Sequence, residues 1–404
     1  MKAVLTNQFN KVALGDCCEI ISGSTPSRNK AEFWDGEIDW FTPKDLSRIK
    51  SKYISEAPEK ITALGLKSCS TTLLPKNTLL LSSRAPIGHI AITTIEACTN
   101  QGFKSLVPNK NLYVEYLFYA IKNIIPQLKD MGNGATFKEI SKSTLSKVEI
   151  PLPQMTEQKQ IAAILDAADS LRQKDQQLVE HYTALSQSLF LEMFGDVFLN
   201  IKHYPKATFR QLLDKVQIGP FGSQLHKHDY VENGVPLINP VHIVESKVLP
   251  SNSFSILKEK YDSLPNYHLK KGDLIMARRG EMGRCALITR KEEGFFCGTG
   301  SLYLRPNNNV NSTYLLHVIT SDSGKSYLER NAQGVTMMNL NKKIILNIEI
   351  GLPPIELQNQ FEVSINLIEQ QKQQAQANLE KSEALFNSLL QRAFTGELTA
   401  DKAA

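Results

Sequence analysis

The chain contains a diverged internal repeat with a period of about 200 residues. Residues 148–153 read VEIPLP and residues 348–353 read IEIGLP, and each is followed by a glutamine at the matching position, Gln158 or Gln358. A period this long excludes a solenoid, whose units span about 20 to 50 residues. The repeat therefore predicts one large unit that is present twice, in a pseudo-twofold arrangement.

Each copy is predicted to be a mixed α+β globular domain followed by one long helix. Residues 79–83 and 89–94 have the pattern of two strands joined by a tight turn, and residues 273–277 and 284–289 repeat it. The predicted boundaries divide the chain into a first globular domain, a central helix, a second globular domain and a C-terminal helix. These segments are 1–150, 151–200, 201–350 and 351–404.

The two long segments are predicted to form coiled-coil helices. Residues 154–194 contain no Gly or Pro, and their apolar residues recur every seven positions. The first residue of one heptad series is Ile161, and the first residue of the other is Ile164, three residues later. The second helix, about 355–394, has a less regular apolar seam and is predicted to need the first helix as its partner. The predicted seam residues are Ile161, Ile164, Leu171, Leu178, Leu185 and Leu189, with Phe361, Ile365, Ile368, Leu379 and Leu389 in the second helix.

The charges divide along the same boundaries. The 404 residues carry a formal net charge of +5, but residues 1–150 hold 19 basic and 14 acidic side chains and residues 201–350 hold 20 and 13. The helical segments are acidic, with 3 basic and 7 acidic residues in 151–200 and 4 and 7 in 351–404. Two basic globular modules favour a polyanion as ligand, whereas acidic helices suit contacts with protein.

The composition also limits the class and compartment of the protein. A hydrophobic fraction of 42% excludes a disordered or fibrous chain. We find no signal peptide and no apolar run near the ~20 residues that span a membrane, which predicts a cytoplasmic protein without membrane contact. None of the six cysteines has metal-ligand or redox-motif spacing, so reduced, packed thiols are expected.

No catalytic motif emerges from the sequence. Gly324-Lys325-Ser326 resembles the end of a P-loop but lacks its first glycine, because Ile319 stands there. Asp229 with Glu245 and Lys247 matches the minimal pattern of a metal-dependent nuclease, but it has no equivalent in the other copy. The chain is therefore predicted to be non-catalytic, to bind no metal and to carry no cofactor.

Basic turns that recur in both copies are the candidate DNA contacts. Arginine suits phosphate contact or bidentate recognition of guanine, and glycine lets the backbone approach closely. The candidates are Arg278, Arg279 and Arg284 in copy two and Arg84 in copy one, with Lys44, Lys138, Thr136 and Thr336 as further positions. For the turns at Thr136 and Thr336, helix capping is the alternative interpretation.

Motifs along the whole chain resemble those of the specificity subunits of type I restriction-modification systems. The resemblance rests on Pro151-Leu152-Pro153 with Glu157-Gln158 at the start of the central helix and Phe194-Gly195-Asp196 at its end. It also rests on residues 394–398, FTGEL, and on residues 219–223, GPFGS. Copy two departs from the pattern at Gly351 and Leu357, so equal partner contacts at the two ends are not expected.

This resemblance implies two target-recognition domains, each reading one half of a split, asymmetric site in double-stranded DNA. It implies that an antiparallel two-helix coiled coil holds the domains apart. The implied partners are two modification subunits, which bind S-adenosylmethionine and methylate adenine N6, and restriction subunits that use ATP and Mg. Two other hypotheses remain open at this point: a coiled-coil scaffold that binds other proteins, and a self-contained nuclease.

Overall fold

The computed structural model describes residues 9–49, 51–133, 138–332 and 339–400. The chain forms two compact units: unit 1 comprises residues 1–176 and 376–404, and unit 2 comprises residues 177–375. Both boundaries fall inside long helices. The segments 151–200 and 351–404, which the sequence predicts as separate helical segments, are each divided between the two units.

The globular part of unit 1 contains ten strands and five helices in its described residues. The strands are β1 (Lys11–Ala13), β2 (Cys18–Ser22), β3 (Trp34–Phe41), β4 (Tyr53–Ile54), β5 (Lys60–Ile61), β6 (Leu79–Leu81), β7 (Ile90–Thr93), β8 (Cys98–Thr99), β9 (Lys104–Pro108) and β10 (Glu149–Pro151). The helices are α1 (Leu14–Cys17), α2 (Pro43–Leu46), α3 (Ala63–Lys67), α4 (Val114–Met131) and α5 (Lys142–Ser146). The predicted strand pair around residues 84–88 is confirmed, since β6 and β7 pair antiparallel.

Three sheets organise these strands. The largest has the order β2-β9-β6-β7-β4, a second has the order β5-β3-β8, and β1 pairs with β10. One face of the large sheet packs against α4, where Leu79 and Ile92 join the buried aromatic and aliphatic side chains of the helix. The predicted α+β class is confirmed for this unit.

A helix of 40 residues, α6 (Met155–Phe194), follows β10. The globular part of unit 2 then contains twelve strands and five helices among its described residues. The strands are β11 (Lys206–Thr208), β12 (Leu213–Ile218), β13 (Tyr230–Val231), β14 (Val235–Ile238), β15 (Ile243–Val244), β16 (Lys247–Val248), β17 (Ser255–Ile256), β18 (Leu274–Ala277), β19 (Cys285–Leu287), β20 (Phe296–Cys297), β21 (Ser301–Pro306) and β22 (Glu349–Gly351). The helices are α7 (Phe209–Leu212), α8 (Lys258–Ser263), α9 (Ser312–Thr320), α10 (Asp322–Asn331) and α11 (Lys342–Leu346), after which come α12 (Ile355–Ala393) and α13 (Glu397–Ala400).

Unit 2 repeats the topology of unit 1. Its sheet of order β12-β21-β18-β19 corresponds to β2-β9-β6-β7, and β11 pairs with β22 as β1 pairs with β10. Strands β14 and β20 run parallel, as β3 and β8 do. The long helix α4 is replaced by α9 and α10, because Ser321 ends one helix and caps the next through its hydroxyl and the Gly324 amide. The repeat predicted from the sequence is therefore present in the fold.

A buried glutamine ties the start of each long helix to the domain that precedes it. Gln158 is 1% exposed; its Oε1 accepts from the Tyr113 amide at 2.8 Å and its Nε2 donates to the Asn111 and Pro153 carbonyls. Gln358 is fully buried and makes the matching bonds to the Asn311 amide and the Pro353 carbonyl. The repeat in the sequence aligns these two glutamines but does not predict their hydrogen bonds.

The burial pattern of α6 corrects half of its predicted seam. The series that begins with Ile161 faces inward, with Ile161 fully buried and Ala168 nearly so. The other predicted series is exposed by 37% to 47%, and its members are Ile164, Leu171, Leu178 and Leu185. The second inward-facing series instead lies four residues after the first: Leu165 packs in the core of unit 1 and Ser186 is buried, while Arg172 and Val179 are half-buried. The pattern of leucines alone favoured the wrong series.

In α12 the predicted residues face inward. Phe361 and Ile365 are buried in unit 2, Leu379 is buried, and Leu389 packs partly buried in unit 1. Leu189 and Ile368 are partly buried against the core of unit 2. None of the described helices is long and apolar enough to cross a membrane.

We predict that Leu165→Asp destabilises the chain whereas Leu171→Asp does not. Loss of a buried leucine typically costs about 2 to 5 kcal/mol, before the buried charge is counted, while an exposed substitution changes stability by about 0.5 kcal/mol or less. Both variants place the same charge on the same helix. Urea unfolding followed by circular dichroism measures the difference, and equal destabilisation by the two variants would contradict the corrected seam.

Candidate nucleic-acid interface

Several strand ends and turns of unit 1 meet in what we call its strand-end cluster, residues 23–24, 41–45, 83–84 and 99–102. The Ser24 amide donates to the Thr99 carbonyl at 3.0 Å, and the Asn100 amide donates to the Phe41 carbonyl at 3.0 Å. The Ser83 amide donates to the Gly102 carbonyl at 2.7 Å. These backbone bonds hold the turns that follow different strands against one another.

One of these turns follows β3 and is built around a proline. Thr42 is the N-cap of α2 and Pro43 is its first residue, as the sequence predicts. The Thr42 amide donates to Asp45 Oδ2 at 2.7 Å, which closes a capping box. Lys44 lies between the proline and the capping aspartate and is exposed.

The other basic candidates of unit 1 lie around Glu139. Arg84 Nη1 is 3.6 Å from Glu139 Oε2, and Lys104 Nζ is 3.2 Å from Glu139 Oε1. Lys138 is exposed beside them. Arg84 is thus partly neutralised by an ion pair, while Thr136, like Thr336, lies outside the described residues.

Unit 2 has an equivalent strand-end cluster, residues 219, 238–242, 278–279 and 297–300. The Gly298 amide donates to the Ile238 carbonyl at 2.9 Å, and the Arg278 amide donates to the Gly300 carbonyl at 3.1 Å. These bonds match those of Asn100 and Ser83 in unit 1. The basic turns align in the sequence, whereas the repetition of the other turns is evident only from these hydrogen bonds.

A tight backbone approach explains the glycine that opens the GPFGS motif. A Cβ atom on Gly219 would lie 1.9 Å from the Gly298 carbonyl oxygen, so only glycine fits there. Two residues later, Phe221 is 65% exposed. The motif therefore presents an aromatic ring to solvent beside the strand-end cluster of unit 2.

The three arginines of unit 2 have different environments. Arg278 is half-buried and its Nε donates to Asn339 Oδ1 at 2.9 Å. Burial lowers the Arg278 pKa, and the positive charge of Arg279 lowers it further. Arg279 is exposed and has no ion-pair partner among the described residues. Arg278 and Arg279 therefore form a site of concentrated positive charge.

Arg284 is engaged within the protein. Its Nη2 donates to Glu281 Oε2 at 2.6 Å, and its Nη1 donates to the Pro240 carbonyl at 3.2 Å. This hydrogen bond to Arg284 lowers the Glu281 pKa. Arg284 thus joins the turn at residues 278–284 to the turn at residues 239–242, a role that its place in a basic turn did not indicate.

The residues of the nuclease hypothesis face different partners. Asp229 lies 3.3 Å from Lys260 Nζ, Lys247 pairs with Glu369 at 3.9 Å, and Glu245 lies in a tight turn with positive φ. No group of three or more potential metal-ligating side chains occurs within the described ranges. The arrangement gives no support to a metal-dependent nuclease.

Cys98, Cys285 and Cys297 are buried in the cores of the two units. All six cysteines are free. Burial raises the pKa of Cys98 to about 11 and also raises the pKa of Cys285 and Cys297, so these thiols stay protonated at neutral pH. They act as packed core side chains.

An aromatic cluster that the sequence does not predict forms between Arg28, in the loop after β2, and two tryptophans of β3. The Arg28 guanidinium lies 3.8 Å from the centre of the Trp34 ring, and Trp34 packs edge-on against Trp40. Arg28 pairs with both carboxylate oxygens of Glu59. The spacing of these residues carries no recognisable pattern, since the contacts form only when the loop folds over β3.

Comparison with known proteins identifies the repeated domain. A family profile described as the type I restriction modification DNA specificity domain matches residues 7–181 and 217–376. The two matches coincide with the two copies found in the sequence.

Two curated relatives share parts of this chain. The MjaIX specificity subunit of Methanocaldococcus jannaschii is 34% identical over 258 residues, 59% of this chain and 59% of that protein. The EcoR124I/EcoR124II specificity subunit of Escherichia coli is 32% identical over 167 residues, 39% of this chain and 40% of that protein. The matched segments span about three-fifths and two-fifths of these relatives.

A solved structure has the same fold over nearly the whole chain. The type I restriction-modification S subunit from M. genitalium superposes with a TM-score of 0.58, covers 96% of this chain and 97% of its own, and is 17% identical. At this identity the likeness concerns the fold alone. It agrees with the two-domain α+β architecture described above.

We predict that Arg279→Ala weakens binding to duplex DNA, whereas Arg284→Ala mainly destabilises the protein. Loss of one phosphate contact reduces the slope of log affinity against log salt concentration by about one unit. Loss of Arg284 removes the bonds between two turns. Fluorescence anisotropy over a salt series and thermal unfolding measure the two effects, and an unchanged salt slope for Arg279→Ala would contradict the assignment.

We also predict that unit 2 loses stability as the pH falls below about 6.5. Burial lowers the pKa of His242 and of His317, so the folded state favours neutral rings. The unfolded chain then binds protons first, and stability falls by up to about 1.4 kcal/mol per pH unit for each histidine until its folded pKa is reached. Above about pH 6.5 the two residues contribute no pH dependence.

Both tryptophans, Trp34 and Trp40, belong to unit 1. Tryptophan fluorescence therefore reports the unfolding of unit 1, whereas circular dichroism reports the unfolding of both units. Between about pH 7.5 and 5.5, the circular dichroism transition should move to lower temperature by more than the tryptophan fluorescence transition. A variant with His242→Gln and His317→Gln should reduce the difference. If the difference persists unchanged in that variant, other groups cause it.

Proposed function

The chain belongs to the family of type I restriction-modification DNA specificity proteins, and on this premise we propose that it is a non-catalytic DNA-recognition subunit. Each globular domain would read one half of a split, asymmetric site. The observation that carries the proposal is the strand-end cluster, which occurs once in each unit on the same backbone hydrogen bonds. A duplicated framework with different exposed side chains suits two different half-sites.

Charge supports DNA as the ligand of both clusters. Exposed Lys44 and Lys138 accompany the cluster of unit 1, and Arg279 accompanies that of unit 2. Basic side chains on turns can reach phosphates and the edges of bases, whereas the acidic helices would repel the duplex. A scaffold that binds only proteins would have no need of this division of charge.

We propose that the two long helices set the distance between the half-sites as an antiparallel coiled coil. Helix α6 has 40 residues, which at about 1.5 Å per residue corresponds to a length near 60 Å. Successive turns of the major groove are about 34 to 36 Å apart. A helix of this length is long enough to separate two domains that contact the same face of a duplex.

The exposed leucine series of α6 is a candidate surface for partner subunits. In unit 1 it consists of Ile164 and Leu171, and in unit 2 of Leu178 and Leu185, each pair separated by seven residues. Large apolar side chains repeated at this spacing suit a second helix packed against each. We propose two modification subunits as the occupants, with one contacting each half of the helix.

The chemistry would reside in these partners. The modification subunits would bind S-adenosylmethionine and methylate adenine N6, and restriction subunits would use ATP and Mg to translocate and cleave DNA. This chain would recognise the DNA sequence and provide the surface on which the subunits assemble, and it would carry no cofactor of its own.

Methylome sequencing tests the proposal in cells that contain this chain and its modification subunits. We predict methylated adenines in two fixed half-sites separated by an unspecified spacer. Four residues inserted at both unit boundaries, after Gln176 and after Ala375, lengthen each helix by about 6 Å and turn it by about 40°. One added base pair turns DNA by about 34 to 36°, so we expect unchanged half-sites with a spacer one base pair longer.

The methylome results test DNA recognition and the spacing role of the helices separately. Absence of a split methylated motif that depends on this chain would reject DNA recognition. Altered half-site bases, or an unchanged spacer in the insertion variant, would show that the helices do not set the distance. Insertions of four residues are tolerated by coiled coils as local changes in winding, which favours a folded variant.

A further inference from the structure

The two units share one turn whose central side chain differs completely in chemistry. We call residues 42–45 and 239–242 the proline turns; they read TPKD in unit 1 and NPVH in unit 2. The residue after the proline is Lys44 in one and Val241 in the other. At an offset of 200 residues Lys44 would correspond to Val244 and not to Val241, so the correspondence between the turns comes from the structure.

Strand pairing establishes that the turns are equivalent. Each follows a strand that runs parallel to a two-residue strand: Phe41 lies opposite Thr99, and Ile238 lies opposite Cys297. Each proline packs against a glycine beyond that partner strand. A Cβ on Gly102 would lie 2.8 Å from Pro43 Cγ, and one on Gly300 would lie 2.9 Å from Pro240 Cδ.

The same kind of hydrogen bond holds the backbone of both turns: a backbone amide donates to the side chain three residues later. In unit 1 the Thr42 amide donates to Asp45 Oδ2, and in unit 2 the Asn239 amide donates to His242 Nδ1 at 3.1 Å. The proline restricts φ at the first turn position. The side chain between the proline and the capping residue therefore leaves from a fixed point on the backbone in both units.

Both central side chains are exposed on turns of the strand-end clusters. Val241 is 64% exposed, and Lys44 is also exposed. The Arg284 guanidinium donates to the Pro240 carbonyl, so the proline turn of unit 2 is attached to the turn that carries Arg279. Val241 therefore lies on a turn that is hydrogen-bonded to the turn of Arg279, the exposed basic candidate of unit 2.

We propose that Val241 and Lys44 are base-reading residues, one for each half-site; the inference rests on the proposed function. Valine has one strongly restricted χ1 angle and can offer only apolar contact. In the major groove, the apolar group that distinguishes the base pairs is the methyl group of thymine. Val241 reads a thymine in the half-site of unit 2.

Lys44 reads a guanine in the half-site of unit 1. Its ammonium group is a donor, and guanine presents the acceptors O6 and N7 in the major groove. The same rigid turn thus serves different bases by exchange of one side chain. Asp45 and His242 act as positioning residues for the turn, because each accepts the hydrogen bond that closes it.

The test measures base preference of the assembled complex with its modification subunits, on duplexes in which each half-site position is varied in turn. For Val241→Lys we expect loss of the thymine preference at one position of one half-site, a change of about 5- to 150-fold in relative affinity. Val241→Thr keeps a methyl group and should retain the preference. Lys44→Val should lose a guanine preference at one position of the other half-site.

Leu257→Lys is the matched control for Val241→Lys, because Leu257 is an exposed aliphatic residue of the same unit outside the strand-end cluster. It should change no base preference. If Val241→Lys only raises affinity uniformly and steepens the salt dependence, the introduced lysine contacts phosphate and the inference is overturned. A uniform loss of affinity in Lys44→Val would likewise assign Lys44 to phosphate and overturn its role.

The failure of this inference is distinguishable from failure of the proposed function. If the unaltered complex shows no base preference at any position, the proposed function itself is rejected. If it prefers particular bases and the Val241 and Lys44 variants keep those preferences, only the base-reading role is rejected.

Discussion

The buried glutamine at the start of each long helix is the interaction on which the repeated architecture depends. Gln158 uses both its amide oxygen and its amide nitrogen on the backbone of the preceding domain, at Tyr113, Asn111 and Pro153. Removal of such a buried side chain leaves backbone groups without partners, which typically costs about 1 to 3 kcal/mol for each group. The helix therefore cannot change its direction relative to the loop before α4 without breaking these bonds, and Gln358 imposes the same condition in unit 2.

A fixed framework allows the exposed turns to diverge. The backbone bonds at Asn100 and Ser83 in unit 1 recur at Gly298 and Arg278 in unit 2, although the side chains at these positions differ. Backbone hydrogen bonds do not depend on side-chain identity, so the turns can exchange residues without loss of the cluster. The proline turns show the limit of this freedom: the capping residue must accept a hydrogen bond, and both Asp45 and His242 do so. The residue between proline and cap has no such constraint.

Local sequence patterns predict the helices and strands well, but they do not predict contacts between residues that are far apart in the chain. The strand pairs around residues 84–88 and 278–284, both long helices and the capped helix start at Thr42 follow from periodicity and turn residues over short windows. The basic turn makes Arg284 a candidate DNA contact, but its sequence neighbourhood does not reveal its hydrogen bond to Pro240, 44 residues away in the chain. The stacking of Arg28 on Trp34 likewise requires the loop to fold back. A pattern read over a short segment of sequence cannot reveal such long-range contacts.

The error in the α6 seam has a physical origin of its own. A helix with a single apolar stripe has one best heptad assignment. Helix α6 has two candidates for its second stripe, because Leu165 competes with the series Ile164, Leu171, Leu178 and Leu185. The repeat contained the information to choose between them: the inward-facing Ile365 of α12 corresponds, at an offset of 200, to Leu165 and not to Ile164. Leu165 packs in the core of unit 1, whereas Ile164 and Leu171 lie on the surface, 37% and 47% exposed, and contribute less to the fold of the chain. A second apolar series on the same helix is therefore a reason to look for a second packing partner.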